Sequence, residues 1–301
     1  MAAIGTPSAP TGCVWCGAAF GQDAVVLPGR RGCPRCGAAT TCPWPTDREL
    51  AHAYARYRPA SGRFAGPGDA LLRRLRGSLA ARLDAVAPPG RVLDVGAGDG
   101  ALVDALRARG REAVGLERDS RHPHVREAEL TEMDGPWAAV VFWHSLEHLR
   151  APGRALDHAA TVLVSGGVVV VAIPNADSVQ ARLFGARWLA LDLPRHLIHV
   201  PAHALLTRLR AAGLHPERIS HWRGGQGLFG WLHGLVGALP GRPDLYAAIR
   251  RPAARSRPLT PAQRAGALLA AAAVTPVALA GAGLEVALRR GGSVYVEARR
   301  D

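Results

Sequence analysis

The chain has 301 residues and is 48% hydrophobic, so it can bury a sizeable core and hold one catalytic domain plus an appendage. Its formal net charge of +13 comes from 37 basic and 24 acidic residues, and every basic residue in the sum is Arg. Because a chain without Lys and rich in Ala, Gly and Pro is typical of coding bias, the charge alone does not establish a nucleic-acid partner.

The first ten residues carry neither a basic start nor an apolar core. This predicts a cytoplasmic protein that has no secretory signal.

All five cysteines follow between residues 13 and 42, an arrangement unlike the spread disulfides of a secreted fold. Two Cys-x-x-Cys pairs with sixteen residues between them predict a zinc ribbon over residues 11–45, with Cys13, Cys16, Cys33 and Cys36 as ligands. Four thiolates fill a tetrahedral shell, so the zinc is expected to be structural. A redox dithiol is the alternative.

Residues 46–90 are predicted to form a helical linker. A helix over Asp47–Tyr57 has Thr46 as its candidate cap. A Gly/Pro-rich turn at residues 59–68 leads to a second helix over residues 70–85, whose leucines recur at helical spacing. Two prolines and a glycine at residues 88–90 end it.

From Arg91 onward, strands alternate with helices, which favours a parallel sheet flanked by helices. Predicted helices cover Ala101–Arg109, Ala151–Leu163 and Pro201–Ala212. The predicted strands are Val92–Val95, Glu112–Leu116, Ala138–Trp143, Val168–Ile173, Pro216–Arg223 and Ser293–Arg299. The third strand of a seven-stranded sheet is hard to see in the sequence. We expect an α/β domain over residues 91–301, with a helical insert at 224–290 before the last strand.

The insert holds two apolar segments, Gly227–Leu239 and Ala265–Leu284, joined by an arginine-rich linker. The second segment has twenty uncharged residues, the length of a membrane span. Spanning is disfavoured, because a single crossing would separate the last strand from its sheet and a hairpin would place the arginines outside. Two interpretations stay open for residues 227–284: a cap or homodimer face, and a peripheral contact with the inner face of a membrane.

A glycine-rich turn follows the first strand of this sheet. Asp94 precedes it, and Gly96, Gly98 and Gly100 let backbone approach a ligand closely. Glu117 ends the second strand, where its carboxylate can accept both hydroxyls of a ribose. This pattern by itself also fits NAD.

Five ordered motifs make the resemblance more specific: VLDVGAGDG, VGLERD, VVFWHSLEHL, VLVSGGVVVVAIPNADS and DLPRHLIHV. Together they resemble the class I S-adenosylmethionine-dependent methyltransferases, in particular the bacterial branch that includes the ubiquinone-type O-methyltransferases. The resemblance covers roughly residues 70–223 and the last strand. It extends in part to the cysteine-rich start, since zinc-ribbon-headed members exist. It implies a Rossmann-like, seven-stranded, mostly parallel sheet with helices on both faces.

The resemblance also implies roles for individual residues. Asp94 and the three glycines of the turn would hold the methionine end of S-adenosylmethionine, and Glu117 would hold the ribose. Arg118 or Asp119 would lie by the adenine, with Glu129 as a weaker candidate. The chain departs from the family at Trp137-Ala138, where an aromatic-Asp pair is usual.

Methyl transfer to oxygen or nitrogen needs a base, and histidine has a suitable pKa. His144 and His148 follow the fourth strand, at the sheet edge where ligands bind in open α/β folds. His144 is the first candidate for the base and His196 the second, whereas His148 has the alternative role of anchoring the next helix. The pattern His144 to His148 also matches a zinc-peptidase motif, which is disfavoured because that motif needs a long helix. Another hypothesis is a divalent ion held by Glu147 and His148 with His196 or His199.

Asp192, Pro194, Arg195 and His196 are expected to form a lid over a small-molecule acceptor, with a salt-bridged loop as the alternative. O-methylation is slightly preferred, and no specific nucleic acid is expected. The rival functions are a zinc-ribbon binding module for nucleic acid or protein, and an NAD-dependent oxidoreductase.

Overall fold

A computed structural model describes residues 9–55, 64, 68–222, 225–255 and 257–301. Its strands in chain order are β1 (Val25–Leu27), β2 (Arg30–Gly32), β3 (Ala39–Thr41), β4 (Val92–Val95), β5 (Ala113–Leu116), β6 (Val125–Arg126), β7 (Trp137–Trp143), β8 (Leu163–Pro174), β9 (Ile198–His199), β10 (Leu214–Ser220) and β11 (Ser293–Arg300). Its helices are α1 (Asp47–Ala55), α2 (Gly68–Val86), α3 (Ala101–Arg107), α4 (Pro152–Val162), α5 (Val179–Phe184), α6 (Ala202–Ala211), α7 (Gly225–Ala238), α8 (Leu245–Ile249) and α9 (Pro261–Ala287).

The chain divides into two compact units. The first unit comprises Met1–Asp69, Asn175–Pro201 and Arg223–Gly292, and the second comprises Ala70–Pro174, Ala202–Trp222 and Ser293–Asp301. Helix α2 belongs almost wholly to the second unit, although the sequence placed it in a separate linker. The end of the predicted helix at Tyr57 and most of the predicted turn at 59–68 lie outside the described residues.

The second unit is built on a seven-stranded sheet in the order β10-β11-β8-β7-β4-β5-β6. Strands β4 to β8 pair in parallel, and β11 runs antiparallel to both of its neighbours. This confirms the predicted fold class. The third strand is β6, whose two residues are too few to give a sequence pattern. Strand β10 begins two residues before the predicted start, because an edge strand with a bulge after Pro216 tolerates proline.

Both faces of this sheet are covered. Leu83 of α2 and Leu106 of α3 share one core with Ala139, Val141 and Val170. The alternate residues of the central strands, such as Val140 and Phe142, are also fully buried. Continuous apolar strands of this kind are what a parallel sheet with two covered faces requires. The carboxyl ends of β4, β5 and β7 thus remain as the place where polar side chains gather.

The first unit contains a small sheet in the order β1-β2-β3-β9. Its fourth strand comes from Ile198 and His199, which pair antiparallel with Thr40 and Ala39 of β3. The Thr41 hydroxyl also donates to the His196 carbonyl over 2.6 Å. The predicted ribbon therefore takes a strand from a segment more than a hundred residues later. Two residues have no periodicity, so the sequence could not predict this pairing.

Helices α5, α7, α8 and α9 also belong to the first unit, where Phe184, Trp188 and Trp231 form an aromatic core against α9. A Cβ atom at Gly281 would lie 2.7 Å from the Trp231 ring, so α7 and α9 approach each other through a glycine. Among the described residues, Pro261–Ala287 is the one helix long and apolar enough to cross a bilayer, with mean hydropathy 1.9. Only 17% of that apolar window is buried.

Candidate cofactor site and zinc centre

The glycine turn lies between β4 and α3 and is fixed by the backbone. The amides of Gly96 and Ala97 both donate to the Leu116 carbonyl, over 2.8 and 3.0 Å. Gly96, Gly98 and Gly100 all have positive φ. A Cβ at Gly96 would lie 2.4 Å from the Ser145 Cβ, and one at Gly100 would lie 2.6 Å from the His122 ring. The turn, which we call the glycine cradle, therefore packs so closely against Ser145 and His122 that only glycine fits at residues 96 and 100.

Glu117 lies directly against this turn. Its Oε2 accepts the Gly98 amide over 3.0 Å, and its Oε1 accepts the Arg118 amide over 3.1 Å. The structure thus brings the predicted ribose ligand and the predicted methionine-side turn together. Backbone amides hold the carboxylate at the end of β5, where a ribose could reach it.

The predicted adenine-side residues also meet. A guanidinium nitrogen of Arg118 lies 3.9 Å from Oε1 of Glu129, and both side chains are well exposed. Glu129 caps a short 3-10 turn just after β6. Asp119 adopts a φ of 53°, uncommon for a residue with a Cβ. Arg118 and Glu129 could thus flank a flat ring beside Glu117.

Asp94 is the last polar residue of β4 before the turn and is only 4% exposed. Burial raises the pKa of its carboxyl group to about 7, an effect that the charge of Arg76 opposes and that of Glu117 reinforces. Arg76 also lies over the Trp143 ring, 5.1 Å from its centroid. Asp94 is therefore a buried acid poised between two protonation states near neutral pH.

His144 follows β7 at the same edge of the sheet. Its amide donates to the Ala172 carbonyl over 2.8 Å, and its φ is 52°. Its Nδ1 atom lies 3.5 Å from Oε1 of Glu147, whose side chain is 2% exposed. Strained backbone at a strand end is common at functional sites. A buried carboxylate beside an imidazole can stabilise the cation that forms when the ring takes a proton.

His148 lies at the end of a 3-10 turn, Leu146–His148. This single turn is far from the long helix of a zinc peptidase, in agreement with the rejection of that interpretation. The divalent ion proposed for Glu147 and His148 stays a prediction.

The departure from the family at residues 137–138 lies at the start of β7, whereas the site residues follow the strand ends. The Trp137 indole donates to the Asp134 carbonyl over 3.0 Å, and the Arg91 guanidinium lies 4.4 Å from the ring centroid. Trp137 thus packs at the amino end of β7, whereas the site residues follow the carboxyl ends of the strands. The departure from the family at this position therefore affects packing and not the site.

His196 and Arg195 belong to the first unit. Arg195 forms a two-pronged pair with Asp192, so the salt-bridged loop that we considered is present. The His196 Nδ1 lies 2.8 Å from the Ala190 carbonyl oxygen. Both ring nitrogens of His199 face carbonyl oxygens, those of Leu191 and Ala39, and burial lowers its pKa to about 3. His199 is therefore a structural residue and a poor metal ligand, which corrects its place among the candidate ligands.

The four cysteines of the ribbon come together as predicted. Their sulfur atoms all lie within 4.8 Å of one another, with 3.7 Å between those of Cys13 and Cys36 and 3.6 Å between those of Cys16 and Cys33. A tetrahedral zinc with bonds of about 2.3 Å requires sulfur separations of about 3.8 Å, so the set fits zinc. The hydrogen bond between Cys13 and Cys36 lowers the pKa of the Cys13 thiol and raises that of the Cys36 thiol.

The two pairs are held by the same backbone device. The Gly17 amide donates to the Cys13 carbonyl and the Gly37 amide to the Cys33 carbonyl, each over 2.9 Å. Both glycines have positive φ. Cys42 is exposed and lies outside the cluster.

Sequence reasoning missed two residues that shape the glycine cradle. Ser145 packs against Gly96, and the His122 ring covers Gly100 while its Nε2 lies 3.0 Å from an Asp104 carboxylate oxygen. His122 comes from a loop without periodicity, so no pattern pointed to it. Ser145 was inside a quoted motif, but its contact depends on the register of β4 against β7.

The sequence of this chain is similar to those of known methyltransferases. Residues 69–218 match a family model described as a methyltransferase domain. A ubiquinone biosynthesis O-methyltransferase of Xylella fastidiosa (strain M23) is 28% identical over 158 aligned positions, which cover 44% of this chain and 64% of that protein. Another, of Alkalilimnicola ehrlichii, is 28% identical and covers 35% of this chain and 51% of that protein.

Among solved structures, an S-adenosylmethionine-dependent methyltransferase from Archaeoglobus fulgidus is 16% identical, with a TM-score of 0.45. The match covers 75% of this chain and 94% of that one. The two curated ubiquinone biosynthesis O-methyltransferases are matched over 64% and 51% of their own length, so the chain spans less than two thirds of either protein.

Proposed function

We propose that this chain, which belongs to the class I S-adenosylmethionine-dependent methyltransferases through residues 69–218, transfers a methyl group to a small-molecule acceptor. The observation that carries the proposal is the hydrogen bond from the Gly98 amide to the Glu117 carboxylate. It joins the two elements that a nucleoside cofactor with an amino-acid tail must contact at once. Glu117 also argues against a cofactor with a 2′-phosphate.

In this proposal the glycine turn and Asp94 hold the methionine end, Glu117 accepts the ribose hydroxyls, and Arg118, Asp119 and Glu129 border the adenine. When bound, the cofactor supplies a methyl group on a positively charged sulfur, ready for in-line displacement. The protein then has two tasks, alignment of the acceptor and removal of its proton. The zinc ribbon is proposed to have a structural role.

His144 is the proposed base. Its position after β7 and the 3.5 Å separation between Nδ1 and the Glu147 carboxylate support a ring that takes the acceptor's proton. Oxygen is the preferred acceptor atom, because a hydroxyl needs such a base and because the curated relatives named above are O-methyltransferases. His196 is the second candidate and His148 the third.

Cofactor binding can be tested by calorimetry with S-adenosylhomocysteine. Glu117→Gln and Gly98→Val should each weaken binding at least about tenfold, because each removes one side of the cradle. Glu112→Gln is the matched control, since Glu112 is an exposed acid at the other end of the same strand. Undiminished binding by both site variants would overturn the site assignment.

The acceptor class can be identified by incubating the enzyme and labelled cofactor with a fractionated lysate. We expect label in the small-molecule or lipid fraction, and none with Gly98→Val. Label confined to RNA or protein would contradict the proposed acceptor class while leaving the cofactor site intact.

A further inference from the structure

Helix α9 carries its large apolar side chains on the outside. Leu269 is 72% exposed and Val277 58% exposed, and the exposed set comprises Leu268, Leu269, Val277, Leu279, Leu284 and Leu288. At about 100° per residue these six project within about 200° of the helix circumference. We call this surface the outer face of α9. A helix that faces water normally presents charged and polar residues on its exposed side. The outer face is therefore expected to be buried by a binding partner.

The opposite side of the helix is packed with small residues. Ala267, Ala278 and Gly281 are buried, and Gly281 receives the Trp231 ring. This protein contact runs along most of the helix: the Arg264 guanidinium donates to the Ala248 carbonyl at its start, and Gln180 donates to the buried Glu285 carboxylate near its end. One side of α9 is therefore held by protein and the other is free for a partner.

This one-sided packing disfavours a membrane crossing. Helix α7, which lies against α9, has 14 residues and is about 21 Å long, too short for a hydrocarbon core of about 30 Å. Glu285 would also place a carboxylate within the span. A helix that keeps one side on protein and offers the other to lipid lies in the plane of the membrane surface instead.

Charge indicates which partner covers the outer face. Residues 223–292 contain nine Arg but only two acids, Asp244 and Glu285, and Glu285 is buried. Arg264 stands at the first turn of α9, where its Nε also donates to the Ala248 carbonyl. Arg289 and Arg290 follow Leu288 directly, and Arg290 lies 3.6 Å from an Asp177 carboxylate oxygen. All three arginines are nevertheless exposed. Arginines at both ends of an apolar face complement anionic lipid headgroups. In an antiparallel pair of copies, Arg264 of one chain would face Arg289 and Arg290 of the other, which like charge disfavours.

We propose that the outer face of α9 docks on an anionic bilayer surface, with its leucines in the apolar boundary and the flanking arginines at the headgroups. This inference does not depend on the methyltransferase activity, and its test needs no methyl transfer.

The test is co-sedimentation of the full chain with vesicles of phosphatidylcholine and phosphatidylglycerol at about 3:1, compared with phosphatidylcholine alone. We expect binding to the mixed vesicles that weakens as salt is raised. Leu269→Gln and Leu279→Gln should each weaken binding roughly tenfold. Leu75→Gln, at a half-exposed leucine of α2, is the matched control and should have no effect. Equal affinity of all variants for S-adenosylhomocysteine, with equal unfolding temperatures, verifies that each is folded.

Three results would overturn the proposal. The first is the absence of wild-type binding to anionic vesicles, or binding that the two α9 variants leave unchanged. The second is a dimer in lipid-free sedimentation velocity that Leu269→Gln dissociates, which would assign the face to a second copy. The third is resistance of the bound protein to alkaline carbonate extraction, which would indicate a span.

Discussion

At the scale of single residues, Asp94 makes the stability of the protein sensitive to pH. Burial raises the pKa of its carboxyl group to about 7, while an exposed aspartate in the unfolded chain titrates near about 4. Between these values the folded state binds the proton and the unfolded state releases it. The contribution of Asp94 to stability is therefore present at low pH and is lost as the pH rises through this window.

We expect Asp94→Asn to raise the free energy of unfolding by about 2–4 kcal/mol above pH 7 and hardly at all near pH 4, because the amide is neutral throughout. Urea unfolding without cofactor, measured across this range, checks the prediction. Glu112→Gln, at an exposed acid outside the glycine turn, is the control and should show no such trend. A pH-independent difference between wild type and Asp94→Asn would show that folding does not raise the pKa of this carboxyl group.

The second prediction for a single residue concerns His144. His144→Asn keeps a side chain that tolerates positive φ, so the loss of a base is separated from backbone strain. We expect kcat for methylation of the acceptor that takes the label from the cofactor to fall about 100-fold or more. Affinity for S-adenosylhomocysteine should be unchanged.

His158→Asn is the control for this experiment, since that ring is directed at the Met133 carbonyl. If His144→Asn keeps the rate of the wild type, His144 is not the base, and the role passes to His196 or His148.

At the scale of elements, α7 and α9 depend on a glycine. Gly281→Val would drive a side chain into the Trp231 ring and should lower the free energy of unfolding by about 1–3 kcal/mol. Gly283→Ala, two residues away where no atom lies within 4 Å of the added Cβ, should leave stability equal or raise it by up to about 1 kcal/mol. Equal urea midpoints for the two variants would contradict this close approach.

The pairing of β9 with β3 gives a prediction about zinc. Removing the metal with a chelator should loosen the ribbon, and β9 should lose its partner strand. Arg195 is 8% exposed, so trypsin should cleave after it slowly in the zinc form and much faster after chelation.

Cysteine variants separate this effect from side reactions of the chelator. Cys33→Ser should reproduce the fast cleavage, and Cys42→Ser should keep both zinc and protection. Affinity for S-adenosylhomocysteine should change little, because the proposed cofactor ligands all lie in the second unit. An unchanged cleavage pattern after metal loss would contradict the coupling of β9 to the zinc centre.

At the scale of the whole molecule, the charge of +13 predicts weak attraction to any polyanion. RNA binding should weaken at least about tenfold between low and physiological salt, independently of sequence, and Cys13→Ser should leave it unchanged. Fluorescence anisotropy on two unrelated oligonucleotides measures both properties. Salt-resistant, sequence-selective binding that Cys13→Ser abolishes would favour the binding-module hypothesis instead.

Much of the second unit, its site and the cysteine cluster of the first unit could be predicted because the determinants are local. The turn around Gly98, the acid at Glu117 and the spacing of the cysteines each occupy a few neighbouring residues, and the structure brings the partners together. What could not be predicted depends on long-range packing. The pairing of β9 with β3 leaves no periodic pattern in the sequence. The same is true of the packing of His122 against Gly100 and of the carbonyl oxygens that both ring nitrogens of His199 face.

The fourth strand of the ribbon also has a consequence for synthesis on the ribosome. Strand β3 is synthesised early, and β9 follows about 160 residues later. The edge of β3 is therefore unpaired while the parallel strands β4 to β8 are translated. An open edge is a template for wrong pairing between nascent chains. The buried threonines of β3 would be exposed during that interval. Slower translation between β3 and β9 should therefore lower the yield of folded protein.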